Sequence, residues 1–126
     1  ADYCASTGGD MGKASLAYGR GKIINAAALY NTLALDGVWL DFRDPDGCRE
    51  ETLYVKTMGF KGRFAIHPDQ IKPIHDAYRP APEELEWAKG VLEEAKTAGS
   101  GAFKYQGKMV DAPVLAVARL IISRED

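Results

Sequence analysis

Acidic and imidazole side chains occur at three places where they could carry chemistry. Asp2 precedes a glycine-rich segment, and Asp111 precedes the dipeptide Ala-Pro. Residues 41–44 and 66–68 each lie at the end of an apolar run. Carboxylates and imidazole commonly serve as general acids and bases in enzymes. In a parallel βα fold, the side chains that follow the strands gather on the face where active sites are built.

Each of these residues also has a structural explanation. Asp2 could be a solvated terminal residue, and the aspartates of residues 41–46 could form turns and cap helices. His67 could be a satisfied core histidine held extended by the proline that follows it. Asp111 could cap the last helix, a role worth about 1 kcal/mol. Because acidic caps far outnumber catalytic acids, the residues alone favour the structural explanation.

The spacing of apolar residues predicts alternating helices and strands up to about residue 78. The predicted elements are a glycine-rich loop at 5–14, a helix at about 15–33, a strand at 36–42, a helix up to Met58 that Gly59 ends, a strand at 63–66 and a helix at about 69–78. Both strands are nearly continuous apolar runs, which is typical of strands buried on both faces. The alternation indicates an α/β protein with a parallel sheet.

The pattern changes after residue 80, where a second region is predicted to cover residues 81–126. A helix should begin at Pro82 and end at about 98–101, because proline suits the first turn of a helix. Short β segments on either side of Gln106-Gly107 and a last helix follow. This region does not continue the alternation, so it is predicted to be an appended helical lid.

Two parallel strands alone do not make a viable sheet, because helices must cover both of its faces. A complete (β/α)₈ barrel needs roughly 250 residues, and this chain has 126. The sequence therefore predicts that the chain is part of a longer protein.

Composition and charge argue against several classes of protein. The chain has 16 basic and 18 acidic residues in an interspersed order and a net charge of −2, so no nucleic-acid partner is expected. No apolar run approaches the ~20 residues of a membrane span, and the first residues lack the features of a signal peptide. Cys4 and Cys48 are isolated and are expected to be partly buried thiols in a reducing cytoplasm.

Two familiar motifs fail. A phosphate-binding loop would require glycine where Thr7 stands and serine or threonine where Ala14 stands. His67 and His75 have no acidic companion at the spacing of zinc proteases, which argues against a zinc site.

The chain resembles the family of the citrate lyase beta subunit, malyl-CoA lyase and citramalyl-CoA lyase. The resemblance rests on ordered motifs: Asp-Tyr-x-Ala-Ser, Asp-Gly-Val-Trp-Leu-Asp-Phe-Arg-Asp, Met-Gly-Phe-x-Gly, Ile-His-Pro-x-Gln-Ile, Pro-x-Pro-Glu-Glu-x-x-Trp-Ala and Gly-x-Met-Val-Asp-Ala-Pro. They cover essentially the whole chain but only the second half of the family's pattern. The resemblance implies the C-terminal portion of a (β/α)₈ TIM barrel in residues 1–80, followed by a C-terminal helical lid.

The resemblance also implies roles for four residues. Asp2 matches the aspartate that holds Mg²⁺ together with a glutamate, and Asp111 matches the catalytic aspartate. Ile66 and His67 match the segment that lines the substrate and CoA pocket. The lid of one protomer is expected to complete the site of a neighbour in a homotrimer. The family's metal-binding glutamate and an enolate-stabilising arginine have no match in this chain.

The implied function is Mg²⁺-dependent, reversible cleavage of a malyl-, citramalyl- or citryl-CoA type thioester to acetyl-CoA and an oxo acid. In this reaction Asp111 is expected to be the general acid and base at the methyl carbon of acetyl-CoA. The alternative is a non-catalytic fragment, or a CoA-thioester-binding half that needs a separate N-terminal half.

Overall fold

The structure is a computed structural model that describes residues 2–99 and 101–125. The chain divides into two compact units, residues 1–78 and 79–126. None of the helices in the described residues has both the length and the apolar content needed to cross a bilayer.

The first unit alternates helices with two very short strands. Its elements are α1 (Asp2–Thr7), α2 (Lys13–Leu29), β1 (Leu35–Asp36), α3 (Pro45–Met58), β2 (Gly62–Arg63), a 3₁₀ turn (Pro68–Gln70) and α4 (Ile71–Tyr78). The strands pair in parallel, with Leu35 opposite Gly62 and Asp36 opposite Arg63. The predicted order of helices and parallel strands is therefore present, although the strands are shorter than expected.

The first unit's core forms where α2 and α3 pack beside the strand pair. Its buried residues are Ala27, Ala34, Val55 and Phe60. Gly59 adopts φ +115° after α3, and this left-handed conformation ends the helix as predicted. Gly19 in α2 faces the ring of Tyr3, and a Cβ there would lie 3.0 Å from the ring carbon that bears the hydroxyl. The close approach explains why α2 has glycine in a position that is intrinsically unfavourable for a helix.

Three predictions for the first unit are wrong in detail. The expected loop at 5–14 begins only after Thr7, because α1 occupies the preceding residues. The expected strands at 36–42 and 63–66 form ladders of two residues each, and Phe64 and Ile66 are 57% and 55% exposed rather than buried. A strand is buried on both faces only when strands and helices surround it. The described residues give each of these strands one neighbour.

The second unit agrees closely with the sequence prediction. It contains α5 (Pro82–Ala98), the antiparallel hairpin β3 (Phe103–Tyr105) and β4 (Lys108–Val110), and α6 (Ala112–Ile122). Gln106 and Gly107 both have positive φ, at 46° and 80°, as in a two-residue hairpin turn. The buried core consists of Ala88, Val91, Val110 and Ala118.

A glycine in α5 accommodates the hairpin. A Cβ at Gly90 would lie 1.8 Å from the hydroxyl oxygen of Tyr105, a distance that no side chain can tolerate. Glycine at this position therefore allows the tyrosine ring to pack directly on the helix backbone.

Candidate functional site

The chain segments that follow β1 and β2 are joined by one buried side chain. Gln70, which is only 1% exposed, donates from Nε2 to the carbonyl oxygen of Trp39 at 2.6 Å. Its Oε1 accepts the backbone N–H of Ile66 at 2.9 Å. We call this arrangement the amide bridge. It fixes the two segments that contain the predicted binding residues Ile66 and His67 and the motif at 41–44.

Beyond the amide bridge, the ring of His67 stacks on the ring of Phe42. The ring centroids are 4.6 Å apart and the planes differ by 23°. Nδ1 of His67 accepts the backbone N–H of Asp69 at 3.2 Å and also lies 3.5 Å from a carboxylate oxygen of Asp69. With the backbone hydrogen bond made to Nδ1, Nε2 is the ring nitrogen that can donate a hydrogen bond to a ligand. The His67 side chain is 39% exposed, and a ligand can therefore reach this hydrogen-bond donor. His67 is not the buried core histidine of the structural explanation.

The Phe42 ring also contacts a cation. The guanidinium carbon of Arg43 lies 5.3 Å from the Phe42 centroid, within the range of a cation–π interaction. The carboxylate of Asp41 accepts the backbone N–H of Arg43 at 3.0 Å and so stabilises the turn. Asp44 accepts the backbone N–H of Gly47 at 2.9 Å and caps α3. The structural explanation therefore holds for both aspartates.

A buried charged cluster lies where β1 and β2 pair. Its members are Arg20 of α2, Asp36 of β1, Glu51 of α3 and Arg63 of β2. Arg20 donates to both carboxylate oxygens of Asp36 at 3.0 Å each, and to Glu51 at 2.9 Å. Arg63 donates to Asp36 and, at 3.0 Å, to the carbonyl oxygen of Gly37. Two guanidinium groups are thus balanced by two carboxylates.

The carboxylates of the cluster stabilise the charged form of Arg20. Burial acts to lower the pKa of Arg20, but the hydrogen bonds and negative charges of Asp36 and Glu51 outweigh it and raise the pKa above its ordinary value. A cavity of 230 Å³ adjoins the cluster and is also lined by Trp39, Leu40 and Asp41. The indole N–H of Trp39 is buried and has no hydrogen-bond acceptor among the described residues.

Asp2, the predicted magnesium ligand, is an exposed residue in the first turn of α1. Among residues 2–99 and 101–125, no three His, Cys, Asp or Glu side chains lie close enough together to hold a metal ion. Mg²⁺ usually binds proteins through one or two carboxylates and keeps water or substrate oxygens as its other ligands. Asp2 therefore fits as one ligand, but the described residues alone do not form a complete site.

Asp111, the predicted catalytic residue, caps α6 in the second unit. Its Oδ1 accepts the backbone N–H of Val114 at 3.2 Å, so the structural role suggested by the sequence is present. The residue is exposed, and within the described part of the chain Oδ2 has no hydrogen-bond partner. The cap therefore leaves one carboxylate oxygen available for other chemistry.

The predicted site residues are divided between the two units. The first unit contains Asp2, Ile66 and His67, and the second contains Asp111. The structure brings Phe42 beside His67, which the sequence placed only at neighbouring strand ends. A joint site of Asp2 and Asp111 stays a prediction.

Comparison with known proteins identifies the family. A family model described as C-C_Bond_Lyase of the TIM-Barrel fold matches residues 21–125. The chain belongs to this family. The resemblance proposed from the motifs is confirmed, and the family's fold agrees with the α/β character of the first unit.

Named members of this lyase family match nearly the whole chain. Citramalyl-CoA lyase, mitochondrial, of Rattus norvegicus is 36% identical over 97% of this chain and 38% of its own length. The citrate lyase subunit beta-like protein of Mycobacterium tuberculosis is 42% identical over 83% of this chain and 38% of its own length. The chain thus spans less than two fifths of the length of these relatives.

Solved structures of the family give the same picture. CitE of M. tuberculosis, in complex with magnesium, acetoacetate and coenzyme A, has a TM-score of 0.82 and 36% identity. That match covers 97% of this chain and 48% of CitE. RipC of Yersinia pestis has a TM-score of 0.62 and 32% identity over 65% of this chain and 38% of its own.

Proposed function

We propose that this chain supplies the second half of a Mg²⁺-dependent acyl-CoA carbon–carbon lyase. The reaction is reversible cleavage of a malyl-, citramalyl- or citryl-CoA type thioester to acetyl-CoA and an oxo acid. The observation that carries the proposal is the accessible His67 ring, held against Phe42 at the strand ends of a chain that belongs to a family of carbon–carbon bond lyases.

In this function Ile66 and His67 line the acyl-CoA pocket. The exposed Ile66 side chain offers an apolar contact, and Nε2–H of His67 offers a hydrogen bond to a carbonyl or phosphate oxygen. The Phe42 ring restricts rotation of the imidazole, so the direction of this donor is set before the substrate arrives.

Asp2 acts as one carboxylate ligand of Mg²⁺, and the remaining protein ligand comes from outside these 126 residues. When bound, the ion polarises the oxygens of the oxo acid. The choice of Mg²⁺ is supported by the relative from M. tuberculosis, whose structure contains magnesium, acetoacetate and coenzyme A.

Asp111 moves the proton. Cleavage of the carbon–carbon bond converts the substrate hydroxyl to the oxo group with release of its proton to solvent and leaves an enolate. The carboxyl group of Asp111 then protonates the enolate carbon that becomes the methyl group of acetyl-CoA. In the condensation direction, its carboxylate removes a proton from the same carbon. The exposed oxygen Oδ2 suits this role, since Oδ1 is occupied by the cap.

The second unit acts as a lid, and we propose that it reaches the active site of a neighbouring protomer in a homotrimer. This arrangement is compatible with the exposure of Asp111 on its own unit. We place the protein in the cytoplasm, where its two buried free thiols remain reduced.

A CoA-thioester-binding half without catalysis is the second candidate. It is supported by the Ile66 and His67 side chains, which are accessible to a CoA thioester without a metal ion. The two candidates differ in whether cleavage appears when the first half of the barrel is supplied.

The test measures oxo acid release from malyl-, citramalyl- and citryl-CoA by this chain, with and without an N-terminal half-barrel and Mg²⁺. We expect cleavage only when all components are present. Asp111→Asn should then lower kcat about 100-fold or more, whereas the matched control Glu94→Gln, at an exposed position of α5, should not. Asparagine caps a helix as well as aspartate does, so a loss reports proton transfer rather than unfolding.

CoA binding without cleavage in any combination would establish the second candidate. An active Asp111→Asn enzyme would remove Asp111 from the mechanism. Calorimetry with CoA and acetyl-CoA, performed on the same samples, separates these outcomes.

A further inference from the structure

Gln70 connects two chain segments that are otherwise outside the strand ladder. The ladder ends at Asp36 and Arg63, and the carbonyl of Trp39 and the amide of Ile66 lie beyond it. Both groups are bonded to the Gln70 side chain, and the Gln70 backbone N–H donates to the carbonyl of His67 at 3.0 Å. One residue therefore takes the place of further ladder hydrogen bonds.

The chemistry of the side chain suits this position closely. An amide has a donor and an acceptor at its end, and both are needed here because one partner is a carbonyl and the other an N–H. Its charge is zero, so its burial at 1% exposure does not require a counter-ion. A buried polar group that lost its partner would be costly, which favours a single geometry.

The ring stack depends on this geometry. Phe42 lies three positions after Trp39, and His67 follows Ile66 directly. The segments between are loops, which are ordinarily the more mobile parts of a fold. Because the amide bridge sets the separation of Trp39 and Ile66, it also sets whether Phe42 and His67 can approach to 4.6 Å.

We infer that Gln70 is a positioning residue for acyl-CoA binding, holding the His67 ring on Phe42 through the amide bridge. The inference rests on the proposed function, because that function assigns His67 to the acyl-CoA pocket. Gln70 itself is buried, so its effect on a substrate would be exerted through His67.

The first experiment needs no substitution. Hydrogen exchange is measured on the wild-type chain for the backbone amide of Ile66, with the exposed neighbour Ala65 as the reference. We expect the Ile66 amide to exchange about 100-fold more slowly than that of Ala65, since it is bonded to a buried side chain. Equal rates would overturn the inference.

The second experiment compares Gln70→Met with Gln106→Met. Methionine is similar in length but removes both hydrogen bonds, and Gln106 is the other glutamine of the chain, on the exposed hairpin turn. The chain has two histidines, so NMR of the imidazole protons separates His67 from the reference His75. We expect Gln70→Met to shift the His67 signals, because His67 would lose its stacking contact with the Phe42 ring. The signals of His75 should stay in place.

The same variants are titrated with CoA by calorimetry. We expect Gln70→Met to raise the Kd about tenfold, equivalent to about 1.4 kcal/mol, and Gln106→Met to leave it within about twofold of wild type. A general loss of stability would not move the His67 signals of the folded protein selectively. Unchanged His67 signals, or unchanged CoA affinity where the wild type binds, would overturn the inference.

The outcomes distinguish the inference from the function on which it rests. If the wild type binds no CoA while the His67 signals of Gln70→Met are displaced, the assignment of the pocket fails and the control of His67 by Gln70 stands. If Gln70→Met does not fold, the inference is tested by the exchange rates of the Ile66 and Ala65 amides in the wild type. Slower exchange at Ile66 supports the inference and equal rates overturn it.

Discussion

Two regions of the first unit join the β1 and β2 segments of the chain by different kinds of interaction. The charged cluster joins them at β1 and β2 with four ionised side chains from four elements. The amide bridge joins them beyond the strands with one neutral side chain and two backbone groups. The cluster thus lies at the last ladder residues, Asp36 and Arg63, and the amide bridge lies in the segments that follow them.

The difference shows how charge is distributed around a candidate site. Buried ions hold α2, α3, β1 and β2 together strongly, but each depends on the presence of its partners. The neutral amide adds no charge of its own to the segments around His67, where the exposed carboxylate of Asp69 lies 3.5 Å from Nδ1. At this site an anionic CoA thioester would meet the charges of Arg43 and the exposed Asp69 beside the imidazole, and not the buried carboxylates of the cluster.

The largest expected effect comes from breaking the charged cluster. Asp36→Asn leaves Arg20 and Arg63 without their shared carboxylate and should lower the free energy of unfolding by about 3–5 kcal/mol. Urea unfolding followed by Trp39 fluorescence in a Trp87→Phe background reports the first unit, because each unit contains one tryptophan. Asp69→Asn, at an exposed carboxylate, is the control. A loss below about 1 kcal/mol would contradict the view of the cluster as tightly coupled.

The amide bridge should contribute less to stability than the charged cluster. Gln70→Met leaves the Trp39 carbonyl and the Ile66 amide without their partner, and we expect a loss of about 1–3 kcal/mol by the same fluorescence measurement. A loss as large as that of Asp36→Asn would show that the two regions do not differ in the way proposed.

A carboxylate outside the cluster provides a reference value for the loss of stability when one hydrogen bond is removed. Asp44 accepts one backbone N–H as the cap of α3, and it has no ion-pair partner among the described residues. Asp44→Ala should cost about 1 kcal/mol and Asp44→Asn much less, because asparagine also caps helices. Equal losses for both variants would indicate that its charge matters more than its hydrogen bond.

The smallest expected effect is a pH dependence next to the cluster. Burial raises the pKa of the Cys48 thiol, with the positive charge of Arg63 acting in the opposite direction. The stability that this thiol contributes is fully present below the unfolded pKa of about 8.5. It is lost as the pH rises through the higher folded pKa.

Wild type and Cys48→Ala should therefore differ in how their urea midpoints change between neutral and alkaline pH. We expect the wild-type midpoint to fall more steeply, by a difference smaller than the effect of Asp44→Ala. Parallel midpoints over this pH range would show that ionisation of the thiol is not coupled to folding.

The second unit could be predicted from sequence because its signals are local. Pro82 begins α5, Gln106-Gly107 forms the hairpin turn, and Asp111 caps α6. The strands of the first unit could not be delimited in this way. Their apolar runs predict burial on both faces, which requires neighbours that the described residues do not provide.

The candidate site was predictable in part. The motifs placed residues 41–44 and Ile66-His67 at neighbouring strand ends, and the contact between Phe42 and His67 agrees with this. Gln70 and the charged cluster were missed, because their partners lie between 4 and 31 positions away and share no periodic pattern with them. Side-chain bonds between distant residues follow from packing, which the spacing of residue types does not specify.

The contact of Tyr105 with Gly90 has a consequence for how the hairpin is aligned. The ring lies in a notch of the α5 backbone that admits no side chain. If β3 slid by one residue, Lys104 or Gln106 would face this notch, and the alternation of the strand would turn Phe103 away from the core. The contact of Tyr105 with the α5 backbone therefore helps to fix the register of the hairpin. The positions of Met109 and Val110, just ahead of Asp111, are then not determined by the turn alone.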